Sequence, residues 1–209
     1  MISMKTEQVS FTSRINFVTA AQFENKFLRG KYIGFKNLAR PLLKADEFYT
    51  TEIRTCTAGG LVNTKTGESV GFHYYDDMEH NTNIHIFLDK MFNSIKDPDR
   101  AFIIGGKDLK FSPYSLANFN EIKDAITKRV PFVSYFKEHI FPLSESSIHY
   151  DLYDDEWTIN SIYKPLNKTV DFDVMSRAMM KIAFREAKIA NGDTLLVNGF
   201  KTDSTHFIG

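Results

Sequence analysis

Two side chains in this sequence are suited to covalent chemistry together: the single cysteine, Cys56, and His73, seventeen residues further on. A thiol with a pKa of about 8.5 is mostly protonated at neutral pH and is a poor nucleophile until its proton is taken. An imidazole beside it can accept that proton and yield the thiolate, and a third group must then orient the ring. A lone cysteine is ordinarily a small buried hydrophobe. Cys56, however, stands among Thr50, Thr51, Thr55 and Thr57 rather than in an apolar run. One cysteine and six histidines allow several pairings, so spacing alone does not select His73.

The elements that must position these residues are strands. Tyr49–Ile53 and Thr57–Asn63 read as strands on either side of Cys56. The polar stretch Asn63-Thr-Lys-Thr-Gly67 reads as a turn, after which Val70–Tyr75 returns. The result is a hairpin, whose arms face each other across a ladder and bring His73 towards the cysteine end. A short helix is expected at Ala20–Leu28, stopped at Gly30. Ile84, Phe87, Leu88, Met91, Phe92 and Ile95 recur at helical spacing. Leu116, Phe119, Ile122 and Ile126 do so after Ser115 as a cap. Ala101–Gly106 is a buried-strand candidate, and Val130–Tyr135, Ser147–Leu152 and Trp157–Ile162 are further strands. The last quarter predicts a helix from about Asp173 to Ala190, with Met175, Met179, Ile182 and Ala183 on one side, ended by Gly192. A strand follows at Thr194–Val197. This mixed order points to α/β or α+β layers rather than a helical bundle.

Other clusters offer less. His73, Asp76, Asp77, Glu79, His80 and His85 form the densest group of ligand-type residues, but no zinc-binding spacing occurs among them, and a solvated loop is the better reading. Asp151, Asp154, Asp155 and Glu156 read as a solvated turn, with His149 as a residue that a folded chain could bring near the pocket. Gly59-Gly60 and Gly105-Gly106 lack phosphate-loop spacing and read as close-packing or turn positions.

The string Thr50-Thr-Glu-Ile-Arg-Thr-Cys56, followed by Asn63-Thr-Lys-Thr-Gly67 and Gly71-Phe-His73, resembles the CheD family of chemotaxis receptor glutamine deamidases. The likeness continues in Ala101-Phe-Ile-Ile-Gly-Gly106 and in Ser115-Leu-Ala-Asn118 with Glu121 to Ile126. It spans about Tyr49 to Tyr135, and the wider group includes the catalytic domains of cytotoxic necrotizing factor and Burkholderia lethal factor. The resemblance implies a layered α/β/β/α cysteine hydrolase fold, with mixed sheets between outer helices. Cys56 would be the nucleophile and His73 the general base and acid. Thr50 would orient the imidazole, with Thr51 the alternative if the register is off by one. Thr51, Arg54, Thr55 and Thr57 would contact the substrate, a protein carrying the target glutamine, and no metal or organic cofactor is implied. The family's small pair before the cysteine is replaced here by Arg54-Thr55. On that difference rests an alternative, a non-catalytic binding module of the same fold. A toxin or effector deamidase or transglutaminase is a third reading.

Composition narrows the field around this expectation. The 209 residues carry 26 basic and 26 acidic side chains, which leaves no electrostatic footprint for nucleic acid or an anionic membrane. One cysteine excludes an internal disulfide. The longest small or apolar run, Ala101–Gly106, is far short of a membrane span. Residues 1–209 are expected to form a single deamidase domain, with 164–209 a helical extension packed on it that could meet a regulatory protein partner. The location expected is the cytoplasm, or export as an effector without a recognisable signal peptide.

Overall fold

The computed structural model describes residues 12–34, 41–75, 83–110, 112–138, 144–163, 170–171 and 183–202. One sheet contains β1 (Arg14–Phe17), β2 (Lys31–Tyr32), β4 (Glu47–Ile53), β9 (Ser144–Asp151), β10 (Glu156–Tyr163), β13 (Thr194–Val197) and β14 (Phe200–Lys201). Their order is β14-β13-β1-β10-β9-β4-β2, and β11 (Val170–Asp171) pairs with β10. The second sheet contains β3 (Leu42–Lys44), β5 (Thr57–Asn63), β6 (Glu68–Tyr74), β7 (Arg100–Gly105), β8 (Phe132–Glu138) and β12 (Phe184–Lys188), in the order β12-β8-β7-β5-β6-β3. Both sheets are mixed: β1 runs parallel to β10 and β13, and β7 parallel to β8, while β5 is antiparallel to β6 and β7.

The sheets face each other, and side-chain alternation sorts the core into two layers. Phe48, Ala58, Val62, Phe102, Ile104, Phe136, Ile148, Tyr150, Trp157 and Ile159 fill the space between the sheets. Trp157 stacks on Tyr150 at 4.2 Å and on Phe102 at 4.8 Å. The opposite face of the second sheet presents Leu61, Val70, Phe72, Ala101 and Ile103 to two helices, α2 (Ile84–Asn93) and α3 (Pro113–Thr127). These supply Phe87 and Met91, and Phe119, Ile122 and Ile126. Every residue of β5 and β7 is consequently buried, as befits strands covered on both faces. On the outer face of the first sheet, α1 (Ala20–Phe27) ties Lys26 to Glu156 and lays Phe27 on Tyr49. The layering is α/β/β/α, and the α/β class expected from the sequence is the class observed. Gly60 and Gly71 mark where the layers press close, since a Cβ would come within 2.8 Å of the Trp157 ring at the first and within 2.5 Å of the Phe48 ring at the second.

The hairpin forms as expected. Its turn is held by the Asn63 side-chain oxygen, which accepts from the backbone N–H of Lys65 and of Thr66, and Gly67 takes φ +66°. Two expectations need correction. Ser115 is buried inside α3 and does not cap it; Pro113, tolerated in a first turn because its missing N–H would have no partner there, lets the helix begin earlier, after Ser112. The predicted helix from Asp173 to Ala190 fails over its described part, because Phe184–Lys188 is a strand paired with β8. A bulge between Phe184 and Glu186 puts Phe184 and Ala187 inward with two exposed residues between, and this mimics helical spacing. The described part of 164–209 is therefore built of strands in both sheets, not a helical extension; residues 172–182, including Met175, Met179 and Ile182, lie outside the described residues. No described helix is long and apolar enough to cross a membrane.

Candidate active site

Two strands and the bend before β5 deliver a hydroxyl, an imidazole and a thiol to the space between the sheets. On β4, Phe48 and Thr50 point inward while Tyr49 points to α1. On β6, His73 lies directly opposite Ala58 of β5, on the inward face. The Thr50 Oγ1 and His73 Nδ1 are 2.5 Å apart, so one hydrogen bond bridges the two sheets with both residues fully buried. The His73 backbone N–H donates to Pro41 O at 2.9 Å, fixing the strand on its other side. Cys56 ends the bend that leads into β5, two positions before Ala58 and therefore on the same face. It is 5% exposed and joins the inter-sheet cluster beside the partly buried Tyr75.

Backbone irregularities cluster here. The β4–β9 register slips between Thr50, opposite Ile148, and Ile53, opposite Ser146, and Glu52 within the slip takes φ +59°. Such a bulge turns the chain sharply after Thr50 and re-aims the segment carrying Cys56. At the end of β7, Gly105 takes φ +139°, and a Cβ there would come 2.3 Å from the carbonyl oxygen of Cys56. Only a glycine lets this strand end lie against the cysteine backbone.

Burial alone pushes the His73 imidazole down to about 3, so the ring is neutral at ordinary pH. With its hydrogen on Nδ1, the ring donates to Thr50 Oγ1 and leaves Nε2 with a lone pair, the form that can accept a proton. Against the His73 ring lies Tyr75, with centroids 4.4 Å apart and planes 13° from parallel. Burial, and next the neighbouring Cys56 and Tyr32, push the Tyr75 phenol up, so it stays protonated.

The other expected site residues separate. Thr51 is half-buried and does not hold the histidine; Thr50 does, so the first of the two registers is the one adopted. Arg54 is exposed and its Nε donates to Glu145 Oε2 at 2.9 Å, while Thr55 beside it is half-buried. Thr57 does not share the cysteine's face: alternation turns it to the helix side, level with Tyr74, which packs on Phe87. Of the ligand-type cluster, His73 is between the sheets and His85 is on α2, beside Glu121; Asp76, Asp77, Glu79 and His80 lie outside the described residues. His149 points away from the site, with Nε2 3.0 Å from Glu47 Oε1. The acidic turn is engaged rather than merely solvated: Asp155 accepts from Ser13 and Tyr150, and Glu156 pairs with Arg14 and Lys26.

Two features escape sequence reasoning. One is Tyr75. The other is a buried pair, Lys107 Nζ 3.5 Å from Glu138 Oε2, with Ser146 donating to the same carboxylate and lying 2.9 Å from Ser161. Burial raises the Glu138 carboxyl, against the pull of Lys107. A lysine directly after the Gly105-Gly106 end of an apolar strand was the available signal for the second. No protein-family model matches the chain, and no curated protein is similar to it in sequence.

Proposed function

We propose that this protein is a cysteine-dependent protein glutamine deamidase of the CheD-like kind. The observation that carries the reading is the Thr50–His73 hydrogen bond, on the face that also receives Cys56. Thr50 steadies the ring, His73 takes the thiol proton, and the Cys56 thiolate attacks the side-chain carbonyl carbon of a glutamine. The oxyanion formed is expected to be held by backbone donors, the Cys56 N–H first among them. Collapse of the tetrahedral intermediate breaks the C–N bond, and the imidazolium protonates the departing nitrogen, which leaves as ammonia. Water then gives a proton to His73 and attacks the thioester. Cleavage of the C–S bond releases a glutamate side chain and restores the thiol.

The substrate is a protein, a chemotaxis receptor or a host protein, met in the cytoplasm or after export as an effector. With an amine in place of water, the same acyl-enzyme performs transglutamination. Incubation of purified candidate partners with the protein, followed by peptide mass spectrometry, tests the reading: glutamine is converted to glutamate at defined positions, and Cys56→Ala abolishes the conversion. Conversion that persists in Cys56→Ala refutes the mechanism. A partner that binds tightly and is never converted supports the binding-module alternative instead.

A further inference from the structure

A histidine so deeply buried is easily kept neutral but hard to charge, and the mechanism requires it to carry a proton between two steps. Its ring is stacked on Tyr75, two residues further along the chain and just past the end of β6. We propose that Tyr75 is a positioning residue for His73, holding the imidazole plane against its ring and stabilising, through its π face, the imidazolium formed when Cys56 gives up its proton. The inference rests on the cysteine–histidine reading above.

The geometry supports both parts. Thr50 holds the ring at one edge, through Nδ1. An edge contact stops rotation about the ring bond but leaves tilting free, and a nearly parallel ring at 4.4 Å blocks the tilt. An aromatic face is negative in its quadrupole, so a cation above it is attracted, most strongly when water is excluded. Tyr75, just past the end of β6, stacks on the ring and is itself acted on by Cys56, from the bend before β5, and by Tyr32 of β2; β4 contributes the uncharged Thr50. Stacked on the imidazole, the Tyr75 ring is placed to offset the desolvation of the new charge, and its hydroxyl is not required for that.

Because the chain has one cysteine, alkylation by iodoacetamide reports on Cys56 alone. Rates are measured across pH for the full-length wild type, Tyr75→Leu, Tyr75→Phe and His73→Gln, with thermal melts confirming folding. Tyr75→Leu is expected to slow alkylation about tenfold at mildly acidic to neutral pH, an effect that fades at high pH where the thiol ionises unaided. Tyr75→Phe keeps the aromatic face and restores the wild-type profile. If Tyr75→Leu fails to fold, Tyr75→Met takes its place. The proposal is overturned if the leucine or methionine variant keeps the wild-type profile while His73→Gln loses it, or if the slowing is equal at every pH. A wild-type thiol no faster than its His73→Gln form overturns the cysteine–histidine reading itself.

Discussion

His73 and His149 are both almost wholly buried, on strands of facing sheets, and β4 supplies the hydrogen-bond partner of each. His73 meets the Thr50 hydroxyl between the sheets; His149 meets the Glu47 carboxylate on the outer face, near Lys26. At His149 burial lowers the imidazole, and Glu47 and Asp151 pull the other way. At His73 burial acts unopposed. At His149 the carboxylates offset part of the burial, although the imidazole still ends below its usual value, whereas at His73 the hydroxyl orients the ring and offsets none of it. The difference between a structural histidine and a candidate base therefore lies in one strand's alternation: Thr50 on one face, Glu47 on the other.

That contrast can be broken in several places. The largest effect is expected at Cys56, where replacement by alanine removes the nucleophile and should eliminate glutamine conversion while leaving the melting temperature close to wild type. His73→Gln should lower the deamidation rate by about 10²–10⁴-fold, the usual worth of a general acid–base group, when turnover on a converted partner is followed. Thr50→Val, which keeps the shape and removes the hydrogen bond, should cost about three- to tenfold in rate, matching a net hydrogen bond of about 0.5–1.5 kcal/mol. Thr51→Val should not reproduce that loss; if it does and Thr50→Val does not, the bridge between the sheets is not what positions the ring.

Acid stability sharpens the comparison further. His73 is depressed to about 3 in the folded protein, against about 6.5 when exposed. The unfolded chain therefore binds a proton at this position more readily, and stability is lost as pH falls from about 6.5 towards 3. His73→Gln should flatten that decline in denaturant titrations at successive pH values; an unchanged slope would mean that the ring is not held neutral. The smallest effect on rate is expected at His149→Gln, which should leave turnover at its wild-type value.

How legible this was in the sequence varied with distance along the chain. The β5–β6 hairpin could be read because Asn63 and Gly67 bracket a local turn, and with the hairpin came His73 opposite the cysteine end. Thr50 came through the resemblance; its bond to His73 crosses between sheets, and no periodicity encodes such a crossing. Tyr75 is not legible, because a ring stack between residues two apart leaves no pattern beyond an ordinary aromatic. The Lys107–Glu138 and Glu47–His149 pairs join segments far apart in sequence, and composition gives no hint of them. At Phe184–Lys188 the bulge misled directly, since it converts a two-residue alternation into a three-residue one.

The placement of β1 has a consequence for how the protein comes into being. Arg14–Phe17, among the first residues of the sheet to be synthesised, is flanked by Glu156–Ile159 on one side and Thr194–Val197 on the other. A ribosome must deliver the chain as far as Ile159 before this strand finds its first neighbour, and as far as Val197 before it finds its second. Pairings of such long sequence separation slow folding, because the intervening loop must close before any contact rewards it. The hairpin carrying His73 can form early, but the sheet that carries Thr50 cannot be completed until Thr194–Val197 has been made. The hairpin that holds His73 is thereby free to close well before the sheet that holds its hydrogen-bond partner Thr50 is complete.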